Sequence, residues 1–301
     1  MPALTTAFNN DLTIDHRFVA RHAQWQIENG VSGLISLGSL SEAATLTFDE
    51  KLALVDTLAA AADGRVPLVA TISALSTAEA VALTKAVQAH GAQGLMILPP
   101  YVYKGDWREI KAHVAAVLET SSLPAMLYNN PVSYGTDFLP EQIQELAEDF
   151  PTLKAVKEST TDVRRVTAIR ALVGSRLAIF VGVDDAIVEG IAAGACGWVA
   201  GLVNALPRES IELFNLASSG KSQEAFELYR WFLPLLRMDT VPKFIQLIKQ
   251  VQQELGTGCA RVRPPRLELA GNELEATRAA VRHAIASRPG AAQPSSAFPA
   301  A

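Results

Sequence analysis

Short apolar runs alternate with longer helical patterns along the first 220 residues of the chain. Uninterrupted hydrophobic runs of this kind are typical of a parallel sheet whose faces are covered by helices. A helical pattern follows each run, so the alternation predicts eight consecutive β–α units. The eight predicted strands are Pro2–Phe8, Gly33–Leu37, Val66–Ile72, Gly94–Leu98, Ala125–Tyr128, Lys154–Lys157, Ala178–Gly182 and Gly197–Ala200.

Helix-start signals support the positions of the intervening helices. Asp15 can cap the first helix, and Thr47 with Glu50 forms a capping box at the second. Ser76 and Glu79 have the same spacing before the third helix. The predicted ends of the seven helices that precede Pro207 are Asn29, Ala62, His90, Thr120, Asp149, Val173 and Ala193.

Eight strands that are each followed by a helix predict an α/β fold, the (β/α)8 or TIM barrel. After about Ser219 the alternation stops, and three helical patterns follow without strands between them: Gln223–Arg237, Val241–Glu254 and Glu273–Ser287. We therefore expect a barrel domain over residues 1–220 and a C-terminal helical extension over residues 221–287. Residues 288–301 are rich in proline, alanine and serine and are predicted to form a disordered tail.

Composition and charge narrow the classes of function. The formal net charge of −5 argues against a nucleic-acid or acidic-membrane binder, and the three arginines of Gly256–Arg266 are interpreted as solvated or interface charges. No apolar run reaches the roughly 20 residues of a membrane span, and the N-terminus lacks a secretory signal. Cys196 and Cys259 lie far apart, and the histidines form no ligand-spaced pair. These features predict a cytoplasmic protein without a metal site.

The active site of such a barrel lies at the carboxyl ends of its strands. Burial of a lysine at a strand end lowers its pKa and leaves the free amine that forms Schiff bases with keto acids. A phenol can transfer protons there, while backbone amides and a hydroxyl can hold a carboxylate. The strand-end segments with these groups are Gly38–Glu42, Pro99–Tyr101, Tyr128–Pro131, Lys157 and Gly182–Asp185.

Each of these residues also has an ordinary structural explanation. Lys157 could point into water, and Tyr128 could be a core aromatic residue. Glu42 is more readily explained as a cap or an ion-pair partner. Asp184 and Asp185 stand where a helix begins, so capping is their default role. The joint placement of these side chains on successive strand ends favours a catalytic site.

Four motifs, GSLSEAATL, YNNP, VKES and GVDD, occur in this order. With them the chain resembles the dihydrodipicolinate synthase/N-acetylneuraminate lyase family over about residues 2–285. The resemblance implies class I Schiff-base lyases and aldolases on a (β/α)8 barrel with a C-terminal helical extension, commonly as homotetramers. It implies Lys157 as the Schiff-base lysine and Tyr128 as the proton-transfer phenol. The implied substrate-binding residues are Ser39, Leu40, Tyr101, Gly182, Asp184, Asp185, Val199 and Gly201.

Three departures from the family pattern bear on the substrate. Leu40 and Ser41 stand where the family has a second hydroxyl-bearing residue and then glycine. Ser133 stands where the synthase has an arginine for the carboxylate of its aldehyde substrate. Val102 replaces a second tyrosine, which puts a tyrosine contribution from a neighbouring subunit in doubt. Because a missing cation removes a charge-assisted hydrogen bond, dihydrodipicolinate synthesis is not expected.

Three sequence segments most resemble those of family members that act in the breakdown of trans-4-hydroxy-L-proline: GSLSEAATL, PPYVYKGDW and YNNPVSYGTDF. This resemblance implies a deaminase, classed as a lyase or hydrolase, that converts 1-pyrroline-4-hydroxy-2-carboxylate to 2-oxoglutarate semialdehyde and ammonia. Its partner would be a small keto acid or cyclic imino acid, and no cofactor is needed because the imine is the electron sink. Two alternatives stay open: an aldolase or dehydratase for a 2-keto-3-deoxy sugar acid, and a catalytically silent barrel that serves as a sensor or scaffold.

Overall fold

The computed structural model describes residues 1–101, 103–289 and 298. Seven parallel strands form one sheet in chain order. The strands are β1 (Leu34–Ser36), β2 (Leu68–Ile72), β3 (Gly94–Ile97), β4 (Ala125–Asn129), β5 (Leu153–Glu158), β6 (Ala178–Val181) and β7 (Gly197–Trp198). β3 and β4 are buried along their whole length, as expected for strands with helices on one side and barrel interior on the other.

The N-terminal segment closes this sheet into a barrel. Pro2 bridges Ala200 and Ala3 bridges Ile35, both in parallel orientation. Leu4 N donates to Ile35 O at 2.9 Å, and Thr5 N then leaves the ladder to donate to the Asn204 side chain at 3.2 Å. The predicted strand Pro2–Phe8 therefore pairs with the sheet only over its first residues. The (β/α)8 fold class is confirmed.

Twelve α-helices surround and extend the barrel in the described part of the chain. Asp15 Oδ1 accepts from Phe18 N as predicted, and the Thr47–Glu50 capping box is present in both directions. The helices are α1 (His16–Glu28), α2 (Phe48–Ala62), α3 (Thr77–Ala89), α4 (Trp107–Thr120), α5 (Pro131–Tyr134), α6 (Pro140–Asp149), α7 (Arg164–Val173), α8 (Ile187–Ala192), α9 (Pro207–Ser218), α10 (Ser222–Leu236), α11 (Phe244–Glu254) and α12 (Gly271–Ala286).

Two helices differ from the sequence prediction. The short helix α5 was not predicted, and α11 begins at Phe244 instead of Val241. Val241 is extended (φ −116°, ψ 160°) because the residue before a proline disfavours the helical conformation. A 3₁₀ turn, Arg237–Thr240, precedes it. As a result, the link between α10 and α11 is irregular chain that can reach the barrel mouth.

The helices after residue 221 pack on the barrel and on one another. Trp231 Nε1 donates to Ala284 O at 2.8 Å, which joins α10 to α12. Lys249 of α11 donates to Thr6 O at 2.9 Å, which joins α11 to the N-terminal segment. The division into a domain of residues 1–220 and an extension of residues 221–287 stays a prediction.

Two described residues of the predicted tail make defined contacts. Arg288 pairs with Glu209, whose side chain is buried. The ring of Phe298 packs against Phe18 and Trp25 of α1, at centroid distances of 5.0 and 5.6 Å. Otherwise the prediction of a disordered tail falls on residues 290–297 and 299–301, which lie outside the described residues. Within the described chain, no helix is both long enough and apolar enough to cross a membrane.

Candidate active site

Lys157 lies near the carboxyl end of β5 and is only 6% exposed. The parallel register places it opposite Tyr128 of β4, and its Nζ lies 4.1 Å from the centroid of the Tyr128 ring. Burial lowers the pKa of Lys157, although ionisation of Asp239 or Asp184 acts in the opposite direction. The neutral amine is the nucleophilic form, so this environment favours attack on a carbonyl or imine.

Gly182, which follows β6, makes room for this lysine. A Cβ at this position would lie 2.5 Å from Lys157 Cε and 2.0 Å from Ser159 Oγ. Both distances are too short for non-bonded atoms, so any larger residue would displace the lysine or the serine. Gly182 therefore contributes space to the site, and its predicted role in substrate binding stays a prediction.

Tyr128 presents its hydroxyl group to the same space. The side chain is buried, and its hydroxyl accepts a hydrogen bond from Asn130 Nδ2 at 3.0 Å. Burial raises the pKa of Tyr128 to about 12. The phenol is therefore neutral at physiological pH, and it can give or relay a proton only to a strongly basic centre that forms during a reaction.

Tyr134 of α5 completes an aromatic cluster at this position. Its hydroxyl group and that of Ser39 hydrogen-bond to each other, and its ring lies edge-on to Tyr128 at 5.8 Å. Burial raises the pKa of Tyr134. The ring of Tyr101 packs against that of Tyr134, with 5.9 Å between their centroids. No role was predicted for Tyr134, which follows Ser133 in the chain and lies on a helix that was not predicted.

These groups face a cavity of about 430 Å³ at the carboxyl ends of the strands. Seven of the ten predicted site residues line it: Ser39, Leu40, Tyr128, Lys157, Gly182, Val199 and Gly201. Tyr101, Asp184 and Asp185 are not part of its wall. Ser133 lines the cavity at the position where the synthase has arginine, and the predicted departure at Val102 lies outside the described residues.

Asp184 contacts protein groups next to the cavity. Its carboxylate accepts hydrogen bonds from Leu202 N at 2.7 Å, Gly201 N at 3.0 Å and Trp198 Nε1 at 3.0 Å. It makes no capping hydrogen bond to the helix that follows it, so the capping role expected from its position is wrong. Burial raises the pKa of Asp184 to about 6. The carboxylate holds the loop that forms the Gly201 wall.

Asp185 points toward the extension. Its carboxylate lies 3.7 Å from Arg237 Nε, and its backbone carbonyl accepts a hydrogen bond from Tyr229. These contacts join the loop after β6 to α10 and the turn that follows it. The substrate-binding roles of Asp184 and Asp185, like those of the other predicted site residues, stay predictions.

The helical extension supplies part of the cavity wall, which the sequence did not predict. Asp239 of the 3₁₀ turn lies against Gly201: a Cβ on that glycine would be 2.2 Å from Asp239 Oδ1. Burial and the neighbouring charge of Asp184 raise the pKa of Asp239 well above the usual range for a carboxyl. No strand-end signal marks this residue, because it is separated from the barrel strands by two further helices.

Two other polar side chains of the cavity had no predicted role. Ser159 Oγ is buried and has no hydrogen-bond partner with normal geometry in the described chain. Its place within the VKES motif, two residues after the lysine, was an available signal. Arg266 also lines the cavity, a position that the sequence did not predict for it, and its interpretation as a solvated or interface charge stays a prediction. Arg263 of the same loop pairs with Glu50 at 2.6 Å and serves the structure.

Comparisons with known proteins agree with this architecture. The sequence profile of the Dihydrodipicolinate synthetase family matches residues 1–284. The 4-hydroxy-tetrahydrodipicolinate synthase of Persephonella marina is 34% identical over 235 residues, which are 78% of this chain and 80% of that protein. The synthase of Mesorhizobium japonicum is 30% identical over 284 residues, 94% of this chain and 97% of that protein. The solved structure of the Methylacidiphilum fumariolicum synthase has a TM-score of 0.89 at 27% identity and covers 95% of this chain and 96% of its own.

Proposed function

Because the chain belongs to the dihydrodipicolinate synthetase family and is an enzyme of that family, we propose that it converts 1-pyrroline-4-hydroxy-2-carboxylate to 2-oxoglutarate semialdehyde and ammonia. The observation that carries the proposal is the buried amine of Lys157, which faces the cavity beside Tyr128. Family membership places the enzyme among the lyases, so the hydrolase class is wrong. It also disfavours the catalytically silent scaffold.

The first half of the proposed reaction transfers the substrate to the enzyme. The neutral amine of Lys157 attacks C2 of the cyclic imine, and the bond from C2 to the ring nitrogen then breaks. The lysine is now joined to C2 as a protonated Schiff base, and the former ring nitrogen is a free amine on C5. The cation on the Schiff base withdraws electrons and acidifies the protons on C3.

The second half removes the hydroxyl group and the amine. Tyr128 relays the proton from C3 to the free amine on C5, which gives an enamine, and the C4 hydroxyl then takes up a proton and leaves as water. Proton shifts move the remaining double bond to an imine between C5 and the nitrogen. One water hydrolyses this imine and releases ammonia, and a second hydrolyses the C2 imine and frees Lys157. One molecule of water is consumed overall.

Ser39 and the backbone amide of Leu40 are proposed to hold the substrate carboxylate. Both residues line the cavity on the turn after β1. The Ser39 hydroxyl bonds to the Tyr134 hydroxyl, so an incoming carboxylate would accept from one or both of these groups. No metal or organic cofactor takes part, since the protonated imine at C2 accepts the electron pair.

A second candidate function, 4-hydroxy-tetrahydrodipicolinate synthesis, is favoured by the position of Arg266. The relatives compared above are named as 4-hydroxy-tetrahydrodipicolinate synthases, and the loss of arginine at Ser133 argues against that reaction here. Arg266 nevertheless brings one cation to the cavity mouth from another part of the chain, where it could bind a second acidic group. A sugar-acid aldolase or dehydratase would use the same Lys157 and Tyr128 and is the other alternative.

Ammonia release from freshly generated 1-pyrroline-4-hydroxy-2-carboxylate tests the proposal. Wild type is compared with Lys157→Ala and with Lys154→Ala, a matched control because Lys154 lies on the same strand but is exposed. We expect release by wild type and by Lys154→Ala only. Full turnover by Lys157→Ala would contradict the Schiff-base mechanism.

The same proteins distinguish the alternatives. Borohydride reduction in the presence of pyruvate should attach pyruvate to Lys157 in any Schiff-base member of the family. Trapping without ammonia release would reject the deaminase. Activity with pyruvate and aspartate semialdehyde would then favour the synthase, and pyruvate formation from a 2-keto-3-deoxy sugar acid would favour the aldolase. The proposed homotetramer can be tested by light scattering.

A further inference from the structure

Asp239 is the only carboxyl that the described chain places in the wall of the active-site cavity. It lies on the 3₁₀ turn Arg237–Thr240, which two contacts hold in place. Thr240 Oγ1 donates to Arg237 O at 2.9 Å within the turn, and Arg237 pairs with Asp185 across to the barrel. The Asp239 carboxyl itself packs closely against Gly201, which gives it a defined position, as a catalytic group requires.

The surroundings of Asp239 keep its proton available. The titratable groups that act on it are Asp184 and Asp185, which oppose its ionisation, and Lys157, which favours it. Burial outweighs the effect of the lysine and raises the pKa of Asp239. Among the residues that the structure describes, no ion pair shorter than 4.0 Å joins Asp239 to Lys157. The carboxyl of Asp239 therefore does not lose its proton to the amine by direct contact.

The proposed deamination needs an acid at one step in particular. Hydroxide is a poor leaving group, and the C4 hydroxyl departs readily only if its oxygen receives a proton as the bond breaks. Tyr128 is already used at C3, and a phenol whose pKa is about 12 is a weak acid for this purpose. A protonated carboxyl is a much stronger one. When the environments of two titratable groups move their pKa values apart, one group can act as the acid and the other as the base.

We propose that Asp239 is a second catalytic residue, which protonates the departing C4 hydroxyl. The inference rests on the function proposed above. The electron pair of the enamine C2–C3 double bond moves to form the C3–C4 double bond as the C4–O bond breaks. The proton of the Asp239 carboxyl goes to the leaving oxygen, water is released, and the protonated imine forms again at C2. Asp239 is left as a carboxylate, which regains its proton from solvent.

A change of leaving group separates this role from a structural one. The test uses Asp239→Asn with two substrates, the natural hydroxy compound and 4-fluoro-1-pyrroline-2-carboxylate, whose fluoride can leave without full protonation. The control is Glu273→Gln, which removes an exposed carboxylate elsewhere on the extension. Ammonia and fluoride are measured, and borohydride trapping of pyruvate at Lys157 reports whether the lysine still works.

We expect Asp239→Asn to lower ammonia release from the hydroxy substrate by about 100- to 10,000-fold, the usual range for loss of a general acid. Fluoride release should fall by less than about tenfold, and trapping should persist. Asp239→Glu, which keeps the acid, should recover part of the activity. Equal losses with both substrates, or loss of trapping, would overturn the proposed role of Asp239 but leave the proposed function standing. A wild type that releases no ammonia would instead refute the proposed function and this step with it.

Discussion

Lys249 Nζ lies 2.8 Å from Glu42 Oε1, and their side chains are 1% and 0% exposed. Glu42 follows the turn that contains Ser39 and Leu40, whereas Lys249 belongs to α11 of the extension. The other oxygen of Glu42 accepts from Arg263 N at 3.0 Å. The structural role expected for Glu42 is therefore confirmed. The pair fastens the extension to the turn that is proposed to bind the substrate carboxylate.

Replacing Lys249 with methionine should destabilise the enzyme strongly. Removing one member of a buried pair leaves an uncompensated charge, which typically costs about 3–5 kcal/mol of the free energy of unfolding. Urea denaturation of the variant measures this value. Lys243→Met is the control, because Lys243 is 54% exposed and its pair with Glu273 should contribute at most about 1 kcal/mol. Similar losses in the two variants would contradict the importance of the buried pair.

Replacing Tyr128 with phenylalanine should separate Schiff-base formation from turnover. The phenol is expected to relay the C3 proton, so its loss should lower ammonia release by about 100- to 10,000-fold. Trapping of pyruvate at Lys157 should remain, since the lysine itself is retained. Tyr103→Phe, at a tyrosine that is 57% exposed, should behave as wild type. Turnover by Tyr128→Phe at the wild-type rate would reject the proton-transfer role.

Replacing Gly182 with alanine should impair the lysine without changing it. The new methyl group would meet Lys157 Cε and Ser159 Oγ at less than 3 Å, so the side chains must move. Overpacking of this kind costs about 1–3 kcal/mol of stability, and borohydride trapping should fall with it. In Gly38→Ala the nearest atom to the methyl lies at 3.6 Å, so the free energy of unfolding should be nearly unchanged. Normal trapping in Gly182→Ala would show that the lysine has room to spare.

The buried histidine His22 should make the fold sensitive to mild acid. Burial lowers the pKa of His22 from 6.5 to about 4, and its Nε2 lies 2.9 Å from Asn204 O. Between these two pH values the unfolded chain binds a proton that the folded chain does not, so stability is full above about pH 6.5 and falls toward pH 4. The shift corresponds to a loss of about 3 kcal/mol at the acid end.

Denaturant titrations at several pH values test this contribution against His22→Gln. The substitution removes the titrating group, so the free energy of unfolding should depend less steeply on pH between 4 and 6.5 than in wild type. The comparison of slopes is necessary because burial of Asp184 raises its pKa to about 6 and acts in the opposite direction over part of this range. Identical slopes in the two proteins would mean that His22 titrates alike in the folded and unfolded states.

The sequence by itself determined the β–α order, most element boundaries within a few residues, and the strand ends that carry the proposed chemistry. These features depend on local signals: the period of the apolar residues, the helix caps, and the rule that parallel strands end at one face. Lys157 and Tyr128 could be predicted together because neighbouring strands in register must place their ends side by side.

Only the tertiary structure decided what faces those strand ends from elsewhere. Asp239 and Arg266 reach the cavity from the extension, and Asp184 turns to the loop at Gly201 instead of the helix that follows it. Such contacts join residues that lie far apart in the chain, and they depend on how whole helices dock. The local pattern of apolar residues shows that a helix face is buried, but it does not show which other element that face packs against. The docking of the helices therefore could not be predicted from it. Lys157 could be predicted from the sequence because a local strand pattern marks its position. Asp239, the acid proposed to act beside it, could not, because only the docking of the extension brings it to the cavity.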